Sequence, residues 1–213
     1  MARVALITGA LGGIGRATCT LLRERGWTVV EADLAGPVPL DVRDPASWAA
    51  LPRRPLDLLV HCAGVSVAGP LASLAPAEAR RMVEVNLLGA ILGTSASLPH
   101  LREGARVVLV GSMLGSHGVP GGATYSATKA GLRALAEALS LEHPGLEVVH
   151  LQPGLVDTPM AGELPGPRLS PEEVALAILD RPGLHATVGT DAWWMTALAR
   201  WAPWLLRKRL ARP

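Results

Sequence analysis

VALITGALGGIG, residues 4–15, decides the fold. VALI at 4–7 is a short β-rich run, TGALGGIG at 8–15 is a glycine-rich turn, and a helical stretch over 14–25 follows directly. Glycines between a strand and a helix allow a tight turn and let backbone approach a pyrophosphate. The helix N-terminus behind them supplies unpaired N–H groups and a favourable dipole. On this reading Gly9, Leu11, Gly13, Ile14 and Gly15 form a dinucleotide cradle. A plain strand-to-helix connection would also use glycines, so the neighbours decide.

Working outward, strand and helix alternate. WTVVEA at 27–32 reads as a second strand and VPLDV at 38–42 as a third, with PASWAAL a short helix behind the cap Asp44. LDLLVHC at 56–62 is apolar on both faces, as a strand of a parallel sheet is. A long helix over 76–98 leads to the strand RVVLVG at 106–111. A helix over 126–142 and the strand LEVVHL at 146–151 come next. SPEE at 170–173 is a capping box with Pro at the first helical position. This order implies right-handed βαβ units in one doubly wound parallel sheet of an α/β domain, residues 1–213.

Composition sets limits. The 213 residues are 49% hydrophobic and 18% charged, enough for one sizeable core. Net charge is +2 with no lysine-rich run, so no nucleic-acid footprint beyond a dinucleotide is expected. Cys19 and Cys62 give neither a disulfide framework nor a metal spacing, and no metal is expected. Because MARVALITGA runs straight into a strand, a cytoplasmic, reduced and soluble protein is expected.

Asp33 stands 18 residues after Gly15, at the end of the second strand, where such folds place a ribose-binding acid. A carboxylate there accepts bonds from both ribose hydroxyls of NAD and repels the 2′-phosphate of NADP. NAD is therefore favoured, with Leu34 beside it. Arg16 follows the glycines and is expected to point along its helix, away from the ribose.

The only tyrosine, Tyr125, lies four residues before Lys129, one of two lysines. A free phenol titrates near pH 10, and an ammonium one helical turn away favours its phenolate. Ser112 ends the strand RVVLVGS, 13 residues before Tyr125, at the sheet edge where reacting groups sit. Its hydroxyl could bond a substrate carbonyl and Tyr125 together.

TGALGGIG, Asn86 in VNLLGA, Ser112, YSATK and PGLVDTP at 153–159 resemble, in order and spacing, the short-chain dehydrogenases/reductases. The resemblance spans about residues 3–180. It implies a single Rossmann-type, three-layer α/β/α fold. It implies Tyr125 as general acid–base, Lys129 lowering its pKa and holding the nicotinamide ribose, and Ser112 orienting the carbonyl. Asn86 would support a water-linked proton relay through Lys129. Asp41 and Val42 would flank the adenine, Ala63 and Gly64 would lie against the cofactor, and Pro153, Gly154, Val156 and Thr158 would surround the nicotinamide. The implied chemistry is hydride transfer between NAD and an alcohol or ketone. A dimer or tetramer through the helices at 76–98 and 126–142 is implied as well.

Three departures stand out. HCAG replaces the family's Asn-Asn-Ala-Gly turn, and His61 reads as a satisfied core histidine. LAGPVPL between Asp33 and Asp41 is too short for the usual second helix, which is shortened or absent. MAGELPGPRL at 160–169 is a short substrate-covering loop, equally readable as a plain surface loop. Candidate substrate contacts are Met113, Leu114, His117, Leu155 and Met160, which suggest a hydrophobic substrate. His117 reads as a solvated loop residue. A catalytically silent NAD-binding regulator is the alternative, and an epimerase or dehydratase a third. The Trp-rich segment 191–213 could pack on the domain or a partner, line the pocket, or lie on a membrane surface.

Overall fold

The computed structural model describes residues 2–162 and 166–210. Seven strands form one sheet in the order β3-β2-β1-β4-β5-β6-β7, and every pairing is parallel. They are β1 (Val4–Thr8), β2 (Thr28–Asp33), β3 (Val38–Pro39), β4 (Leu56–His61), β5 (Leu101–Val110), β6 (Glu147–Pro153) and β7 (His185–Val188). The order reverses direction between β1 and β4, which puts the crevice at their C-terminal ends.

The helices cover both faces, as continuous apolar strands require. On one side α1 (Gly13–Glu24) and α6 (Pro171–Asp180) pack on Ile7, Leu58, Val108 and Leu151. On the other, α2 (Pro45–Ala49), α3 (Pro76–Val83), α4 (Gly89–Ser97) and α5 (Ala123–Glu142) enclose Leu6, Leu59, Val107 and Leu132. The C-terminal α7 (Thr190–Trp201) and α8 (Pro203–Leu210) complete the described chain. One doubly wound α/β sheet is the result, as the alternation implied.

Several elements differ from expectation: β5 begins at Leu101 rather than 106, and α5 at Ala123 rather than 126. The third strand ends at Pro39 rather than Val42, because Leu40–Asp44 turn away to build the cap of α2. The Asp44 carboxylate accepts from the N–H groups of Ala46 and Ser47, and the Asp41 N–H donates to Ser47 Oγ. No helix intervenes between β2 and β3, in line with the shortened spacing. The long helix over 76–98 is interrupted by a π turn at Glu84–Leu88. Such a turn inserts an extra residue and re-aims its side chains, and it carries Asn86 into the interior at 2% exposure. The Ser170 capping box on α6 is present in full.

Candidate active site

The turn after β1 is shaped by steric necessity. Gly9 has φ of +64°, and a Cβ there would lie 2.7 Å from the Ala63 backbone. At Gly15 a Cβ would lie 2.1 Å from the Gly9 carbonyl oxygen, so the first turn of α1 closes onto the loop only without a side chain. The result is a cleft of about 1020 Å³ over the C-terminal ends of β1, β2 and β4. Gly9, Leu11, Gly13, Ile14, Gly15, Asp33, Leu34, Asp41, Val42, Ala63, Gly64 and Thr158 all line it, and so does Met160. A backbone cradle with helix α1 behind it and an acid at its rim fits a dinucleotide.

At the rim, one Asp33 carboxylate oxygen accepts the Leu11 N–H at 3.1 Å, which fixes the acid against the glycine loop. Arg16 departs from expectation: its guanidinium folds back to donate to the Leu11 carbonyl at 3.2 Å, and the residue lines the cleft. An arginine in the first turn of a helix reaches its own N-terminal loop when no acid draws it elsewhere. Arg43 also lines the cleft, with its guanidinium on Asp41 at 2.7 Å, which holds that carboxyl below its usual range. Sequence reasoning passed over Arg43, although its place two residues after Asp41 was the available signal.

Behind the cleft lies a second cluster, half-buried at Ser112 and Tyr125 and buried at Lys129 and Asn86. Ser112 ends β5 and accepts the Leu114 N–H at 3.2 Å through its hydroxyl. Gly115 lets this turn lie on α5, because a Cβ there would be 2.9 Å from the Lys129 backbone. That contact sets Ser112 close enough to the Tyr125 hydroxyl to influence its pKa. Burial raises the Tyr125 phenol above its ordinary value and the Ser112 contact pulls it back. Lys129 was expected to lower it, but the ammonium is turned elsewhere. Its Nζ donates to the Val110 carbonyl at 2.8 Å and lies 5.6 Å from the Tyr125 ring centre. Lys129 is itself depressed, to about 8, by burial.

Asn86 joins this cluster from the π turn. Its Oδ1 accepts the Val65 N–H at 2.8 Å, and its Nδ2 donates to the Val65 carbonyl and to Thr128 Oγ1. It thereby holds the segment that follows Gly64 against α5, with Oδ1 and Lys129 Nζ on the same side of Gly64.

The other expected residues fall elsewhere. Ser112, Tyr125, Lys129, Pro153, Gly154, Met113, Leu114, His117 and Leu155 do not line the cleft. A Cβ on Gly154 would meet the Asp191 carboxylate at 2.5 Å, so this turn packs against the start of α7. Val156 is buried in the core, bridged to Leu169. Residues 155–157 and 169 thus form a pinned strap, with Asp157 and Arg168 paired at 3.1 Å across it. Glu163, Leu164 and Pro165 of the short loop lie outside the described residues. His117 is not solvated: both of its ring nitrogens are buried without a hydrogen-bond partner among the described residues, and burial lowers its pKa. His61 is a core residue, its Nε2 3.1 Å from Thr94 Oγ1 and its pKa down to about 4.

Gln152 was missed altogether. It is 3% exposed, and its Oε1 accepts from Ser116 and Thr196 while its Nε2 lies 3.1 Å from His150 Nδ1. It ties the turn after Ser112 to β6 and α7. A lone glutamine before a Pro-Gly pair carries no sequence signal of such a role.

A family model described as "short chain dehydrogenase" matches residues 3–168. The protein belongs to the short-chain dehydrogenase family. Among curated family members it is 36% identical to cis-4-hydroxycyclohexanecarboxylate dehydrogenase of Sinomonas cyclohexanicum, over 83% of this chain and 87% of that one. It is 33% identical to a 3-alpha-(or 20-beta)-hydroxysteroid dehydrogenase of Mycobacterium bovis, over 76% of this chain and 72% of that one. The fold superposes on a short-chain dehydrogenase from Burkholderia cenocepacia in complex with NADP, with TM-score 0.91 and 28% identity. That match covers 100% of this chain and 98% of the other. The family assigns an oxidoreductase with a nicotinamide dinucleotide cofactor, and the glycine cradle of this chain fits that group.

Proposed function

We propose that the protein is an NAD-dependent oxidoreductase that interconverts a hydrophobic secondary alcohol and its ketone. The observation that carries this reading is the Ser112–Tyr125–Lys129 cluster, half-buried at the first two and buried at the third, next to a cleft with Asp33 at its rim. The dinucleotide, when bound, accepts or supplies the hydride. Gly9, Gly13 and Gly15 line the cleft and would present backbone to its pyrophosphate, and Asp33 would accept hydrogen bonds from its ribose hydroxyls. Thr158 and Met160 close the cleft from the strap side.

The chain's own chemistry is proton transfer and orientation. The Ser112 hydroxyl holds the carbonyl oxygen of the substrate against the Tyr125 hydroxyl. Tyr125 donates its proton to that oxygen in reduction and withdraws it in oxidation. An ammonium turned from the Val110 carbonyl toward Tyr125 would stabilise the phenolate left behind. The low-lying Lys129 pKa suits it to hand on the proton through Asn86 and water. The mostly apolar residues after Ser112, Met113 and Leu114, favour a hydrophobic substrate. The half-exposed Leu88 and Ile91 on the α3–α4 helix give a dimer or tetramer its contact face.

The test is a fluorescence titration with NADH and with NADPH, for the protein and for Asp33→Ala. Tighter NADH binding whose preference disappears in the variant supports the reading. NADPH binding as tight or tighter would refute the role of Asp33. Arg16 and Arg43 at the same rim would then be the groups that accept a 2′-phosphate. A screen of alcohols and ketones follows, with Tyr125→Phe as the inactive control.

A further inference from the structure

The last two helices carry a surface that nothing among the described residues covers. Trp193, Trp194, Trp201, Trp204 and Leu205 are 55%, 62%, 75%, 66% and 52% exposed. At about 100° per residue, Trp193, Trp194 and Trp201 fall within one arc of about 100° on α7. The opposite side of α7 is the anchored one. Ala192 is buried, Thr196 donates to Gln152, and the Asp191 carboxylate sits against the turns at Gly154 and Gly189. On α8, Leu206 is buried at 3% while Trp204 and Leu205 face out. The tryptophans therefore neither pack on the domain nor line the cleft.

Charge is distributed as unevenly as the apolar surface. Residues 192–213 hold five Arg or Lys and no Asp or Glu, whereas residues 1–191 hold fifteen against eighteen. A small net charge for the whole chain thus hides an acidic body and a basic tail. We propose that α7 and α8 dock the protein on an anionic lipid surface. The tryptophans lie at the headgroup level, where an amphipathic ring is most stable, and the positive charge that the sequence concentrates in residues 192–213 complements the lipid phosphates. Charge complementarity selects this occupant. A second copy seated on the same patch by two-fold symmetry would bring two basic tails together. The helix Pro76–His100 has the length and composition of a membrane span, but it packs on α5 and holds Asn86 in the interior. Contact with lipid is accordingly peripheral.

The experiment is flotation of the full chain with vesicles of phosphatidylcholine alone and of phosphatidylcholine mixed with phosphatidylglycerol. Binding to the anionic vesicles only, released by high salt, is the expected result. The triple variant Arg207→Gln, Lys208→Gln, Arg209→Gln should bind roughly a hundredfold more weakly, since each basic residue at such a surface contributes several-fold. Trp201→Ser with Trp204→Ser should abolish flotation while dinucleotide binding is kept. If that variant misfolds, the triple variant decides. Absence of flotation with anionic vesicles, or equal flotation with neutral ones, overturns the proposal. So does a Trp variant that dissociates an oligomer in gel filtration when the parent protein ignores vesicles. The patch would then be a subunit interface.

Discussion

Lys129→Met should make the isolated protein more stable, although Lys129 belongs to the proposed site. The ammonium sits in the interior at 6% exposure, and burial lowers its pKa from 10.5 to about 8. At about 1.36 kcal/mol per unit, holding that charge folded costs about 3 kcal/mol at neutral pH. Methionine keeps the length and apolar stem without the charge. It forfeits the bond to the Val110 carbonyl, which offsets about 1 kcal/mol. The net gain is about 2 kcal/mol, a rise of roughly 4–8 °C in Tm for a chain of this size.

The sign follows from proton uptake. The folded pKa is below the unfolded one, so between pH 8 and 10.5 the unfolded chain binds more protons at Lys129. Stability from this group is present above 10.5 and is lost as pH falls through 8. The advantage of the variant should therefore shrink by about 2 kcal/mol between pH 7 and about 9.5, as the native lysine neutralises. Thermal melts followed by circular dichroism at both pH values read the difference. A variant less stable than its parent at pH 7, or an advantage that ignores pH, would refute a depressed, desolvated Lys129.

Gly15→Ala places a methyl 2.1 Å from the Gly9 carbonyl, so the loop must move. It should lose about 1–3 kcal/mol of stability and most dinucleotide binding, and an unchanged titration would contradict the cradle. Tyr125→Phe should keep its melt and its dinucleotide affinity and lose turnover by two or more orders of magnitude, about what a positioned acid–base group supplies. Gln152→Leu strands the hydroxyls of Ser116 and Thr196 and the ring nitrogen of His150, with an expected loss of about 1–3 kcal/mol by urea titration. Acid should weaken the fold through His61 and His150, whose pKa values burial lowers to about 4 and about 3. Their neutral forms stabilise above pH 6.5. Each should remove roughly 2–3 kcal/mol by about pH 4.5, and a flat urea midpoint across that range would show that they are not desolvated.

The sequence by itself determined the fold and the glycine turn that opens the cleft. Apolar strands separated by helix-length segments admit a doubly wound sheet and little else, because each strand must bury both faces. The glycines at 9 and 15 announced a cradle by their place between a strand and a helix, although at Gly9 it is the Ala63 backbone, brought in by the fold, that leaves no room for a side chain. The four-residue spacing put Tyr125 and Lys129 on one helical face, which is a property of the helix alone.

Tertiary structure decided everything that depends on direction and desolvation. Periodicity cannot show a π turn, so only the folded chain reveals how Asn86 comes to clamp Val65. Spacing placed Arg16 past the glycines, yet the fold turned it back onto Leu11. Composition gave His117 to solvent and left Gln152 unremarked, whereas packing dried the first and made the second a junction of β6, α7 and the turn after Ser112. The ammonium of Lys129 points to Val110 and its pKa falls for one reason: burial is a property of the assembled chain, not of any segment within it.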